Sequence, residues 1–130
     1  MDDIVVGDEA AFHLNGRVNN HNIRHYAPKN QPPSFNFEVG ISREKVSVWM
    51  GLCGNGSIIG PYFYNNNLNG AGYLDLLNDM IIPRLQETHA ERINRAWWIQ
   101  DGAHSHRSVA VRNKLNEVFA NRIIALGHQV

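Results

Sequence analysis

The chain has 130 residues, about one ordinary domain, and its twelve Lys and Arg balance twelve Asp and Glu. With 43% hydrophobic and 18% charged residues it has the profile of a compact globule, which excludes a disordered tail and a collagen-like or coiled-coil rod. No apolar run approaches the roughly 20 residues of a membrane helix, so no membrane partner is expected, and the zero net charge removes the basic excess usual in a stand-alone DNA-binding module.

Ile4 to Leu14 reads as a strand, with Ile4, Val6, Asp8 and Ala10 sharing one face by the period of two. Asn15-Gly16 is a hairpin signal, and Arg17 to Tyr26 follows as a more polar strand. Pro28 to Asn36 is a loop, too short to divide two domains. Lys45 to Cys53 is a strand rich in β-branched and aromatic residues. Gly54-Asn55-Gly56 turns the chain into a short apolar strand, Ser57 to Tyr64.

A helical period then takes over. Leu74, Leu77, Ile81 and Leu85 recur at spacings of three and four, with Tyr73, Leu76 and Met80 widening the stripe. Pro83 lies inside this run and predicts a kink. Arg95 to Gln100 reads as a buried strand ending in Asp101-Gly102. Ser105 or Ser108 caps a second helix to about Phe119, with Val111, Leu115, Val118 and Phe119 inward, and Arg122 to Leu126 is a last short strand. A meander followed by alternating helices and strands predicts an α/β mixed sheet, β-β-β-α-β-α-β with an optional extra early strand, whose later strands run parallel to the first.

Two carboxylates stand out. Asp8 lies within the first strand, and Asp101 directly follows Trp97-Trp98-Ile99-Gln100. Charge inside a core strand is costly unless it is paired or binds a metal. Two such acids on neighbouring strands suit Mg²⁺, which takes few protein carboxylates. The plainer alternative makes one a cap and the other a turn residue, since Asp-Gly after a strand commonly turns the chain. His104 and His106 alternate as zinc ligands do, but nothing nearby completes a four-ligand site. His21 and His25, four apart, would face together only on a helix, which their Asn-rich surroundings disfavour. Cys53 is the only cysteine, which excludes an internal disulfide, and it reads as core.

The ordered motifs resemble one family. Gly7-Asp8-Glu9-Ala10-Ala11-Phe12 is similar to the "(S/T)DEAxF" strand of the mariner-type transposases, within the DDE/DDD transposase–integrase superfamily. Val46 to Leu52 resembles "VxVWxG", and Ile59-Gly60-Pro61-Tyr62-Phe63 resembles "GPYFF". Tyr73-Leu74-Asp75-Leu76-Leu77 with Pro83-Arg84-Leu85 resembles "YLxxL…PxL", and Gln100-Asp101-Gly102-Ala103 with His106 resembles "QQDGAxxH". The set covers roughly residues 4 to 126.

The resemblance implies a ribonuclease-H-like fold. It implies that Asp8 and Asp101 are the first two of three catalytic acids, and that they hold Mg²⁺ or Mn²⁺ for DNA strand cleavage and transfer. The implied partners are DNA (transposon ends and target DNA) and a second copy in a homodimer, and the implied place of action is the nucleus. Gly7 replaces the family's Ser or Thr, and His104 replaces a common Pro. The family's "WPPxSPDxxPxD" segment, which carries the third acid, has no counterpart before Val130, nor has its N-terminal helix-turn-helix region. Glu117 is the only acid after Asp101, and the helical period turns it about 150° from the apolar stripe, toward solvent. The expectation is therefore a single ribonuclease-H-like domain over 1–130, C-terminally incomplete, lacking its C-terminal helix and inactive by itself. A domesticated or degenerate remnant, acting in nucleic-acid or protein association without catalysis, is the alternative. An unrelated zinc or hydrolase domain is the third.

Overall fold

Residues 3–14, 44–65 and 67–126 are described in the computed structural model of the chain. The expected strand Arg17 to Tyr26, the loop Pro28 to Asn36, and His21 with His25 lie outside them. The first strand, β1, spans Ile4–His13, β2 spans Lys45–Cys53 and β3 spans Ile58–Tyr64. Helix α1 (Gly70–Leu76) passes into a π-helical turn (Leu77–Ile81) and then α2 (Ile82–Thr88). Strand β4 (Trp97–Ile99), a 3-10 turn (His104–Arg107), α3 (Val109–Phe119) and β5 (Ile123–Ile124) complete the order.

The five strands form one mixed sheet in the order β3-β2-β1-β4-β5. β1 pairs antiparallel with β2, and β2 with β3, the latter pair joined by the short turn 54–57. β4 pairs parallel with β1, and β5 with β4, each reached through a helical crossover. This is the mixed α/β sheet expected from the sequence. β2 has the expected bounds, while β4 and β5 are shorter than their apolar runs suggested.

The two faces of the sheet differ sharply. Val5, Cys53, Trp98 and Ile123 occupy paired positions and are all buried against Tyr73, Leu77, Ile81, Val111, Leu115 and Phe119 of the helices. One residue along, Ile58, Leu52, Val6, Ile99 and Ile124 pair in a row across all five strands. Of these only Ile99 is half-buried; the others are exposed. The helices thus cover one face, and an apolar row lines the other.

An aromatic stack organises the covered face. Trp49 lies parallel to Trp98, with ring centroids 6.2 Å apart, and stacks on Tyr62 at 6.1 Å. Trp98 in turn meets Phe119 of α3 at 5.2 Å. Trp49 belongs to β2 and Trp98 to β4, with β1 between them. The indoles meet because β1 presents Gly7 there, paired with Gly51 of β2. A Cβ on Gly7 would stand 2.4 Å from Trp49 Cζ2, and one on Gly51 would stand 2.8 Å from Cη2.

Pro83 is accommodated by the π turn. The Ile82 N–H reaches back five residues to the Leu77 carbonyl, so the register shifts just before the residue that has no N–H to offer. Tyr73, Leu77, Ile81 and Leu85 are buried as the stripe predicts, but Met80 is 46% exposed, at the edge of the stripe rather than in the core. Of the two proposed caps for the second helix, Ser108 is the one used: its hydroxyl accepts the Val111 N–H at 3.2 Å. Among the described residues no helix is long and apolar enough to cross a membrane.

Candidate metal centre

β1 and β4 run side by side with Val6 opposite Ile99. Two residues further along each chain stand Asp8 and Asp101. Strand alternation puts Asp8 on the Val6 side of the sheet, while Asp101 lies beyond β4. Asp8 thus stands in the middle of β1, and Asp101 lies just past the carboxyl end of the adjacent parallel strand β4.

The sequence reading sets Asp8 inside a core strand and Asp101 at the end of a buried one, and the structure corrects the burial this implies: both are exposed. Asp8 alternates onto the face that the helices leave uncovered. Asp101 lies past the last residue of β4, with its side chain 61% exposed. Each carboxylate is anchored by one backbone N–H. Asp8 Oδ1 accepts the Glu9 N–H at 2.8 Å, and Asp101 Oδ1 accepts the Ala103 N–H at 2.9 Å.

Behind Asp101 lies a group that sequence reasoning did not single out. Glu9 alternates to the opposite side from Asp8, toward the helices. Its Oε1 is 2.6 Å from His106 Nε2, and His106 Nδ1 is 2.8 Å from Asp101 Oδ1. Nδ1 also approaches the Asp101 carbonyl at 3.3 Å. The His106 ring is 1% exposed and lies 4.4 Å from the ring of Tyr73. Burial pushes the imidazole toward its neutral form, but the Glu9 hydrogen bond and charge, joined by the Asp101 carbonyl and carboxylate, outweigh it, so the His106 pKa is raised. The signal for Glu9 was available in the period of two, which puts it on the face of Val5 and Gly7.

Two further groups support this corner. Gln100 is buried, and its Oε1 accepts both the Tyr73 hydroxyl and the Trp98 indole N–H at 2.9 Å each. Burial raises the Tyr73 pKa well above the ordinary phenol value, and the Glu9 charge adds to this, so Tyr73 stays a neutral donor. Tyr64, at the end of β3, is raised by burial and then by the charges of Glu9 and Asp8.

Glu9, Asp101 and His106 each offer a ligand atom, all within 4.8 Å of one another. They are the only such trio among the described residues. His104 is exposed and outside it. A closed zinc site is not assembled here, because both nitrogens of His106 already face carboxylates. Hard oxygen donors suit Mg²⁺ or Mn²⁺ instead. Glu117 is exposed to solvent on α3, as expected, 3.4 Å from Lys114. Cys53 is buried core, also as expected.

No protein-family model and no curated protein sequence matches the chain. Solved structures do. The Mos1 mariner paired-end complex with Mn superposes with a TM-score of 0.66 at 23% identity, over 98% of this chain and 36% of that one. The catalytic domain of Mos1 mariner transposase gives 0.60 at 21% identity, over 99% of this chain and 50% of that one. The same catalytic domain with Raltegravir and Mg gives 0.59 at 21% identity. The chain has the fold of a mariner transposase catalytic domain. This is the ribonuclease-H-like sheet that the motif order implied, and the chain spans between a third and a half of the transposase chains it matches.

Proposed function

We propose that this chain is the catalytic-domain portion of a mariner-type transposase, with Asp8 and Asp101 as carboxylate ligands of Mg²⁺ or Mn²⁺ and DNA as substrate. What supports this reading is the β1–β4 pairing, with Asp8 inside β1 and Asp101 two residues past the Ile99 end of the neighbouring parallel strand. The likeness to Mos1 structures solved with Mn and with Mg supports it. Full-length function would take transposon ends and target DNA as partners, in a homodimer and in the nucleus.

When bound, the divalent cations supply activation of the attacking hydroxyl and neutralisation of charge on the phosphodiester. The chain's own part is to hold two oxygen donors in place. Asp8 and Asp101 each lean on a backbone N–H through Oδ1, and among the described residues no backbone N–H meets Oδ2 of either. Their exposure leaves the edge open to a strand of DNA.

Among the described residues the acid gathered with Asp101 is Glu9, and since its Oε1 is taken by His106 we do not read it as a third free carboxylate. We therefore read the chain by itself as holding metal weakly and lacking strand-cleaving activity. A non-enzymatic remnant with the same fold is the second reading, favoured by that same missing ligand. Titration with Mn²⁺ separates the two. Binding that is lost in the Asp8→Asn, Asp101→Asn double variant supports a retained metal site, and absence of binding by the wild-type chain supports the remnant.

A further inference from the structure

We propose that His106 is a positioning residue that aims the Asp101 carboxylate, and that Glu9 holds His106 in the orientation this requires. The inference deepens the metal reading above and rests on it for its ligand. His106 enters from the 3-10 turn that follows the Asp101-Gly102-Ala103 loop, and Glu9 enters from β1, 97 positions earlier. The two ring nitrogens face two different carboxylates, Glu9 at 2.6 Å and Asp101 at 2.8 Å. A carboxylate only accepts, so the ring meets both with N–H groups. Rotating the buried ring breaks both bonds at once, and Tyr73 packs against it at 4.4 Å.

The consequence falls on Asp101. A carboxylate that is 61% exposed, on a loop beyond a strand, would otherwise sample several rotamers. Here its Oδ1 takes two donors, the Ala103 N–H and His106 Nδ1. That pins χ1 and χ2 and turns Oδ2 into the oxygen left for a cation. Glu9 stabilises the doubly donating ring from the core side. It does so from the opposite face of β1 to Asp8, so adjacent residues of one strand serve the site from two directions. Groups that hold metal ligands in this way commonly change metal affinity by about 10–100-fold when lost.

The test uses the whole chain with His106→Gln and Glu9→Gln, each first checked for a cooperative melt in EDTA. Free Mn²⁺, followed by electron paramagnetic resonance, gives the dissociation constant. Both variants are expected to bind Mn²⁺ about 10–100-fold more weakly while melting cooperatively. A metal-free readout stands beside it: the proton spectrum should show two low-field His106 ring N–H signals, one lost in Glu9→Gln and the other in Asp101→Asn. Affinities within twofold of wild type in a folded variant, or absence of the ring signals, overturn the inference. If His106→Gln fails to fold, Glu9→Gln decides. If the wild-type chain binds no Mn²⁺, the metal reading falls, and the ring signals alone decide whether His106 positions Asp101.

Discussion

The Trp49 indole occupies the space a side chain on Gly7 would need: a Cβ there would meet Trp49 Cζ2 at 2.4 Å. The position before the motif acid is Ser or Thr in the family pattern, and Gly7 stands there in this chain. The exchange has a packing reason, because the bare glycine lets Trp49 and Trp98 stack across β1. Gly7→Ser is therefore expected to destabilise the fold by about 1–3 kcal/mol, the usual cost of overpacking. Thermal melts check it, with a drop of several degrees expected. Trp49→Leu in the same chain should recover part of the loss, giving a non-additive double-mutant cycle.

Metal should stabilise the folded chain through Asp8 and Asp101. A ligand that binds only the native state raises stability by RT ln(1 + [L]/Kd), about 2.7 kcal/mol at one hundred times Kd. Millimolar Mn²⁺ is expected to raise the Tm of the wild-type chain and to leave that of Asp8→Asn, Asp101→Asn unchanged. Equal shifts in both chains would place the bound ion elsewhere.

The raised pKa of His106 gives a pH dependence with a definite sign. A cation stabilised by Glu9 and Asp101 contributes fully below the ordinary histidine value of 6.5 and is lost as pH rises through the raised folded value. Stability measured in EDTA should therefore fall as pH climbs above 6.5 through that value. Urea melts across this range should show the decline in wild type and a flatter profile in His106→Gln.

Strand cleavage by the chain alone is expected to be absent. In-line displacement needs attacking and leaving oxygens clamped together, and two carboxylates hold a second cation poorly. The balanced charge of the chain also provides little capture of phosphate. Supercoiled plasmid with Mn²⁺ is the assay, run beside Asp101→Asn. Nicking by wild type that the variant lacks would mean that another group completes the ligand set.

Much of the fold was legible because its signals are local. The β-branched and aromatic content of Lys45 to Cys53, the apolar spacing from Tyr73 and the Ser108 cap each depend on a few neighbouring residues, and each is found in place. That β1 and β4 are neighbours followed from the element order, and so did adjacent strands for Asp8 and Asp101. Their exposure did not, because whether a sheet face is covered depends on the rest of the assembly, and no strand pattern records it. The Glu9–His106 pair escaped for a related reason: it joins residues 97 positions apart, on the far side of the strand from the conspicuous acid. The short β4 reflects the turn before it: the Arg95 and Ala96 N–H groups both reach back to the Arg92 carbonyl, so the strand begins only at Trp97.

The π turn at Leu77–Ile81 makes this stretch sensitive to length more than to composition. A π turn amounts to one surplus residue in an α-helix, and each residue advances the helix by about 100°. The surplus sets the phase of α1 against α2, so that Tyr73 meets Gln100 while Leu85 stays in the core. Exchanging the exposed Asn78 or Asp79 leaves that phase alone. Deleting either one lets the helix wind into a single regular repeat and swings Tyr73 about 100° around the axis, away from Gln100 and the His106 ring. The His106 corner is thus keyed, through Tyr73, to a residue count further along the same helical run, and a frame-preserving loss of one codon there would undo what many substitutions would spare.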